Sequence, residues 1–238
     1  MREAQLRSSA EAAAAYRLVQ TRVDALLRDR TDVADRAVPA CPAWTVHQTV
    51  SHLAGVAQDI AALNLDGAGT EAWTQAQVDR LAGHGLDEVL DLWAQATDSV
   101  VDVLQQGPER IAGQLVFDTV SHEHDLRGAL GEPGSRSADP AAAVALGFLA
   151  TLLDRAIRRA GAPALQLTAP ATGAVHLGDP EAANPLVLHC DDFDVLRAFG
   201  GRRSAAQLTA LPWRGDPAAL IPLLGNVAVR PPQADLVE

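Results

Sequence analysis

The strongest constraint on the fold is a series of long stretches in which apolar residues return at helical spacing. The clearest covers residues 86–104, where the steps alternate between four and three before Gly107 and Pro108 interrupt the pattern. Similar stretches cover residues 4–27, 45–63, 108–130 and 140–160. Thr45 is expected to cap the second of them. Long helices joined by short breaks favour an antiparallel helical bundle over residues 1–160.

From residue 161 onward the pattern changes to short runs that are typical of strands. LQLTA, AVHLG and PLVLHC are separated by Pro, Gly and Asn, which favours a small antiparallel sheet. Short helices are expected around residues 193–199, after GGRRS and after WRGD. We therefore predict an α+β fold: a bundle over residues 1–160 and a small α+β domain with a short antiparallel sheet over residues 161–238.

Composition and charge exclude several classes of protein. The net charge is −11, and all 19 basic residues are arginine, so a nucleic-acid backbone is not an expected partner. The most apolar stretch, residues 141–153, is too short to span a bilayer, and the N-terminus has no apolar signal core. We expect a cytoplasmic protein with no membrane partner. The absence of lysine beside much Ala, Gly and Val favours a GC-rich, actinobacterial type of genome.

The stretch over residues 108–130 carries titratable residues at positions where a bundle needs apolar ones. Ile111, Asp118, His122 and Asp125 lie on one helical stripe, which predicts that they face the core. An unpaired carboxylate is costly to bury, and a metal ion would remove that cost. Asp118 and His122, one turn apart, can converge on one ion, while Asp125 can orient the ring of His122. A hydrogen-bonded polar pair without an ion is the alternative.

Other histidines make weaker cases. His52 lies on the flank of the apolar stripe of the second helix, where geometry alone predicts an ordinary boundary residue. His47 is five residues away and faces elsewhere. Glu123 and His124 point away from the face of His122, and we expect both at the surface, with Glu123 paired to an arginine four residues on.

The remaining candidates have no evident role. His84, His176 and His189 have no visible partner, and no nucleophile elbow, phosphate loop, dinucleotide fingerprint or H-E-x-x-H motif occurs. Cys41 and Cys190 are too few and too far apart for a disulfide scaffold, and we interpret them as small buried thiols.

Two separated segments carry a family resemblance. CPAWTVHQTVSHLAG at residues 41–55 resembles the signature C-P-x-W-T-V, followed by H-L, of the mycothiol-dependent maleylpyruvate isomerase family, a group of DinB-like metal-binding four-helix bundles. DTVSHEHDLRGALGEPG at residues 118–134 resembles the second signature of that family. Residues 191–224 are similar to its small domain, which resembles sterol carrier proteins.

The resemblance implies a ligand set. His52, Asp118 and His122 correspond to the family's ligands for one divalent ion, and only the resemblance ties His52 to the other two. The family pattern has Glu where this chain has Asp118, whose shorter arm can change the position or the identity of the metal. Two histidines and one carboxylate are typical zinc ligands, and three protein ligands leave a position open, as in catalytic sites.

The resemblance also implies an activity. Mycothiol would be the thiol cosubstrate, activated at the metal for addition to an electrophilic small molecule by an isomerase or an S-transferase. Arg202, Arg203 or Arg214 could bind an anionic substrate or the thiol. The alternatives are a non-catalytic metal-binding carrier of an apolar ligand and a regulator that senses metal or thiol. The sequence leaves the substrate and the oligomeric state open.

Overall fold

Nine helices and five strands make up residues 2–137, 139–224 and 231–238, the part of the chain that the computed structural model describes. The helices are α1 (Ser9–Leu27), α2 (Val46–Ala61), α3 (Glu71–Leu81), α4 (Leu86–Gln106), α5 (Glu109–Leu130), α6 (Pro140–Ala160), α7 (Asp192–Phe199), α8 (Ala205–Thr209) and α9 (Ile221–Leu224). The strands are β1 (Arg2–Glu3), β2 (Leu165–Ala169), β3 (Gly173–Leu177), β4 (Leu186–His189) and β5 (Trp213–Arg214). The predicted α+β class is confirmed.

Four of the long helices pack side by side in a ring with the order α1, α4, α2, α5. The stripe predicted over residues 86–104 is buried along α4, and the indole of Trp93 in its middle donates a hydrogen bond to the hydroxyl of Tyr16 on α1. The stripe predicted on α5 is not buried at its first residue, because Ile111 in the first turn of that helix is 47% exposed. Neighbours in the ring contact each other least at the seam between α2 and α5.

Side-chain caps decide where the helices begin and end. Thr45 caps α2 as predicted, with Gln48 returning the hydrogen bond. α1 begins at residue 9 and not at residue 4, because Ser8 forms a capping box with Glu11. α3 is a helix of 11 residues in a region where the apolar spacing predicted no long helix. Gly131 ends α5 in the left-handed conformation that favours glycine.

The sheet is mixed, so the prediction of an antiparallel sheet was wrong. Its order is β1-β3-β2-β4-β5. β2 pairs antiparallel with β3, and β4 with β5, but β1 runs parallel to β3 and β4 runs parallel to β2. The reason is that the chain crosses from β3 past β2 before it enters β4, and that the sheet gains its first strand from the start of the chain.

α6 connects the bundle and the sheet. It packs against α1 and α5 on one side and against α7, α9 and β3 on the other. At Gly147 an added Cβ would lie 2.8 Å from the carbonyl oxygen of Gln5, so glycine lets the segment after β1 cross this helix closely. Residues 2–3 thus belong to the sheet, while a division into domains near residue 161 stays a prediction.

α6 also bears on the membrane prediction. Among the helices described, it is long and apolar enough by length and composition to cross a bilayer, so the judgement that residues 141–153 were too short was wrong about the length of the element. Most of its apolar stretch is packed inside the protein, as in the core helix of a folded domain.

Candidate metal centre

The three predicted ligands lie together at the seam between α2 and α5. His52 Nε2 is 3.5 Å from Asp118 Oδ2, and His122 Nε2 is 3.7 Å from Asp118 Oδ1. One donor atom from each residue lies within 4.8 Å of the others. Ligands about 2.0–2.1 Å from a tetrahedral zinc ion stand roughly 3.4 Å apart, so this spacing suits one ion. Both imidazoles are buried, whereas the Asp118 side chain is 36% exposed and marks the open side.

A glutamine from α3 orients His52. The Oε1 atom of Gln77 is 2.9 Å from His52 Nδ1, and the Nε2 atom of Gln77 donates to Asp59 Oδ2 at 2.8 Å. Because the amide oxygen faces the ring, the Nδ1 atom of His52 carries a proton, and its Nε2 atom is the one directed at Asp118. Gln77 was not foreseen, since a single glutamine outside the predicted helical stretches carries no signal of its own.

A carboxylate orients His122. Asp125 Oδ2 lies 3.1 Å from His122 Nδ1, the contact predicted for Asp125, and the Nε2 atom of His122 is likewise directed at Asp118. Asp125 is fully buried and accepts hydrogen bonds from Arg197 Nη2 at 2.6 Å and Arg202 Nη2 at 2.9 Å. Arg197, on α7, was not foreseen, because it lies 72 residues from Asp125 in the chain.

Charge fixes the protonation of the cluster. Burial raises the pKa of Asp125, but Arg202 and Arg197 outweigh it and hold that pKa well below the ordinary value. Burial raises the pKa of Asp118 too, and the hydrogen bond from His52 with the neighbouring charges lowers it further than burial raises it. Burial lowers the pKa of His52, and Asp118 more than reverses this. Both carboxylates are therefore anionic at neutral pH.

Two residues of the first signature line the cluster. The Trp44 ring centroid is 5.1 Å from that of His52 and 5.9 Å from that of His122, so the indole covers both imidazoles. The thiol of Cys41 donates to Asp125 Oδ2 at 3.4 Å. Burial and Asp125 raise the pKa of Cys41 to about 12, which keeps the thiol protonated. Cys41 is half-buried and beside the cluster, a position that its interpretation as a small buried thiol did not anticipate.

Of the three predicted anion-binding arginines, the structure brings one to the cluster. Arg202 is buried against Asp125. Arg203 Nη1 lies 2.7 Å from Glu238 Oε2, so the guanidinium of Arg203 is directed at Glu238 and not at the cluster. Arg214 is exposed on the edge strand β5, and its side chain makes no ion pair with any residue described.

Two residues expected at the surface are buried. Glu123 is fully buried between Arg22 and Arg127, and His124 packs edge-on against Phe193 of α7 at 5.0 Å between ring centroids. Burial and the nearby arginines lower the pKa of His124 to about 3, so its imidazole is neutral. The prediction failed because α5 is enclosed by α1, α6 and α7 on faces that a four-helix bundle would leave open.

The other histidines lie outside the cluster, as expected. His47 Nε2 is 2.8 Å from the carbonyl oxygen of His84, and His176 Nε2 is 2.7 Å from the carbonyl oxygen of Asp179. His189 is exposed at the end of β4.

Comparison with known proteins identifies the bundle. Residues 16–127 match the family model described as the mycothiol maleylpyruvate isomerase N-terminal domain. The matched segment contains His52, Asp118, His122 and the residues that orient the two histidines from within the bundle. Residues 16–127 of this chain are therefore similar to that domain. The family resemblance of the two signatures is thereby confirmed.

A solved structure extends the likeness beyond the isomerase-family bundle. It is the crystal structure of a histidine-to-alanine mutant of the mycothiol-dependent maleylpyruvate isomerase, with a TM-score of 0.52 and 15% identity, covering 82% of this chain and 90% of that chain. At this identity the likeness shows the fold alone. The share covered exceeds the helical bundle, so the likeness includes part of the α+β region. No curated protein matches the chain. The sterol-carrier and DinB likenesses stay predictions.

Proposed function

We propose that this protein, whose bundle is similar to the mycothiol maleylpyruvate isomerase N-terminal domain, is a metal-dependent enzyme that uses a low-molecular-weight thiol, mycothiol, to act on an electrophilic small molecule. One observation carries the proposal: two buried imidazole Nε2 atoms converge on the half-exposed carboxylate of Asp118, and each ring is fixed from behind by its own hydrogen bond. The match of residues 16–127 to that domain supports mycothiol as the thiol.

The donor set fits a zinc ion. His52, Asp118 and His122 would hold it, and both histidines direct Nε2 at Asp118, so that an Nε2 atom without its proton offers the lone pair that a metal needs. When bound, zinc supplies a Lewis acid that lowers the pKa of a thiol, which is what addition of that thiol to an electrophile requires. The shorter arm of Asp118 still reaches both imidazoles, so the departure from the family's Glu does not remove a ligand.

The chain's own residues prepare the reaction in three ways. Gln77 and Asp125 hold the Nδ1 protons of the two histidines. Trp44 covers both rings and limits the access of water to them, while the partly exposed Asp118 leaves the cluster open to an incoming thiol and substrate.

An external thiol is supported by the state of the nearest internal one. With its pKa raised to about 12 by burial and Asp125, Cys41 is a poor nucleophile at neutral pH. Arg202 is our candidate for contact with an anionic group of the substrate or thiol, since it is the predicted arginine beside the cluster. Roles for Arg203 and Arg214 there have no support from their contacts.

The decisive experiment is metal analysis of the purified protein with three variants. We expect about one zinc ion per chain in the wild type and in the control His47→Ala, whose ring faces His84. We expect roughly a tenth or less in His52→Ala and His122→Ala, because loss of one of three protein ligands removes most of the affinity. Stoichiometric metal in both ligand variants would refute the site.

Turnover separates the remaining functions. Mycothiol-dependent conversion of a maleyl-type or chlorodinitrobenzene-type electrophile by the zinc-loaded protein supports the enzyme, and the product distinguishes isomerisation from S-transfer. Binding of an apolar ligand without turnover would favour the carrier, and a metal- or thiol-dependent effect on a partner would favour the regulator. The cytoplasmic location, the genome type and the absence of nucleic-acid and membrane partners stay predictions.

A further inference from the structure

The carboxylate that orients His122 is itself held by a buried arginine with a second acidic partner. The guanidinium of Arg197 is fully buried, and its Nη2 donates to Asp125 Oδ1 at 2.6 Å. Its Nη1 donates to the carbonyl oxygen of Ser121 at 3.2 Å. Its Nε donates to Glu238 Oε2 at 2.9 Å, and Nη2, the atom that contacts Asp125, also donates to Glu238 Oε1. A continuous line of contacts thus joins Glu238 to the ring of His122.

The side chain of Glu238 is buried and is held within this network by several contacts. Its side chain is 3% exposed and also accepts a hydrogen bond from Arg203 Nη1 at 2.7 Å. The segment 231–238 is fixed to α8, where Gln207 Nε2 donates to the carbonyl oxygen of Leu236 at 2.8 Å. Gly128 on α5 leaves room for it, since an added Cβ would lie 3.4 Å from Glu238 Cγ.

We propose that Glu238 is a positioning residue for the candidate metal ligand His122, acting through Arg197 and Asp125. The metal-binding part of this inference rests on the proposed function. The orientation of the His122 ring is a property of the metal-free protein and does not rest on it.

The reason is charge balance in a buried network. Asp125 carries one negative charge and faces two guanidinium groups, those of Arg197 and Arg202. Glu238 gives Arg197 a second carboxylate, so the positive charge of Arg197 is balanced by Glu238 as well as by Asp125. In a poorly solvated interior such charges act strongly on one another. Without Glu238, the positive charge of Arg197 would be balanced by Asp125 and no longer by Glu238. Asp125 would then be a weaker acceptor for the His122 Nδ1 proton, and the orientation of the ring would be held less firmly.

The test substitutes Glu238→Gln, which keeps the size and hydrogen-bonding capacity of the side chain and removes its charge. Zinc ion alone is titrated into metal-free protein against a chromophoric chelator. We expect affinity to fall about three- to tenfold, at or below the low end of what loss of a direct orienting partner costs. The matched control is Glu132→Gln, which removes the 2.9 Å ion pair with Arg30 beyond the end of α5 and should leave affinity within about twofold.

A double-mutant cycle identifies the route. In an Asp125→Asn background the further change Glu238→Gln should have no added effect on zinc affinity, because the path through Asp125 is already cut. An equal loss in both backgrounds would overturn the proposal, since it would mean that Glu238 acts on overall stability. Unchanged affinity in Glu238→Gln alone would overturn it as well.

A readout without metal separates this proposal from the proposed function. In 15N NMR spectra of metal-free protein at fixed pH, we expect the His122 imidazole to change from a single Nδ1–H tautomer toward a mixture in Glu238→Gln, with the His52 signals unchanged. If the wild type binds no zinc, the metal centre is refuted, and this spectrum still decides the role of Glu238. Identical His122 signals in both proteins would refute that role.

Discussion

The two candidate ligand histidines are supported unequally. His52 donates to the neutral amide of Gln77, whereas His122 donates to the charged carboxylate of Asp125. A charged acceptor makes the opposite ring nitrogen a stronger metal ligand than a neutral one does. We therefore expect His122 to be the stronger of the two donors, with His52 depending more on a correct ring orientation.

The role of Gln77 can be tested by removing its acceptor. Gln77→Leu leaves the Nδ1 proton of His52 without a partner in a buried site, and we expect zinc affinity to fall about tenfold. The measurement is competition with a chelator. The control is Gln75→Leu on the same helix, since Gln75 is exposed and its side chain donates to Asp79 and not to His52. Equal affinities of the two variants would show that Gln77 does not orient His52.

The buried His124 predicts a dependence of stability on pH. Its folded pKa of about 3 lies below its ordinary value of 6.5, so the imidazole stays neutral in the fold and takes up a proton on unfolding. This contribution is complete above pH 6.5 and is lost as pH falls toward 3, by about 1.4 kcal/mol per pH unit. Between pH 6.5 and pH 5 the wild type should therefore lose roughly 2 kcal/mol more than His124→Gln.

Urea unfolding at several pH values measures that difference. The free energies of unfolding of the two proteins should converge as the pH falls. Parallel curves over this range would show that His124 has an ordinary pKa in the folded protein.

At the scale of the element, the position of α3 decides whether His52 is oriented. Gly55 on α2 makes that position possible, because a Cβ there would lie 2.4 Å from Gln77 Cβ. α3 thus packs directly on the helix that carries His52 and inserts Gln77 behind it. No periodicity in the sequence marks this contact, since it depends on a glycine in one helix and a glutamine in another.

Filling that contact should move α3. Gly55→Ala forces Gln77 away from α2, and we expect a loss of about 1–3 kcal/mol in the free energy of unfolding together with weaker zinc binding. The control is Gly83→Ala, where an added Cβ meets nothing within 4 Å. Thermal unfolding and the chelator titration measure the two effects. Wild-type behaviour of Gly55→Ala in both would contradict the close packing of α3 on α2.

The elements also show what the sequence could predict. The α4 stripe, the cap at Thr45 and the break at residue 161 are local signals, and each corresponds to a feature of the structure. The mixed sheet, the start of α1 and the extent of α3 were missed. Strand order depends on which edge a distant strand joins, and periodicity within a strand does not encode that choice.

At the scale of the whole molecule, the region after residue 161 supports the bundle from outside. Arg197 and Arg202 reach Asp125 from that region, and Phe193 covers His124. The sequence correctly placed Asp118 and His122 on one face, and the structure brings His52 to them. The sequence could not show that Arg197 and Glu238 support the cluster, because ion pairs between distant segments leave no pattern in a single sequence.

That support predicts a large effect on stability. Arg197→Met removes one of two arginines from each buried carboxylate and leaves Arg203 at Glu238 and Arg202 at Asp125. We expect a loss of about 3–5 kcal/mol in the free energy of unfolding, as for other broken buried ion pairs. Arg214→Met, at an exposed arginine that forms no ion pair within the described part of the chain, should change it by less than about 0.5 kcal/mol. Urea unfolding provides the comparison, and similar stabilities of the two variants would contradict the network.

The loose seam between α2 and α5 has a consequence for chain entropy. An ion held by His52 on one helix and by Asp118 and His122 on the other would act as a cross-link between segments far apart in sequence. Closing so long a loop restricts the unfolded chain, much as a disulfide does, for as long as the metal remains bound there. The same ion would fasten the one side of the ring that side-chain packing holds least tightly. Removing it should therefore let this seam exchange its backbone amide protons before the rest of the bundle does.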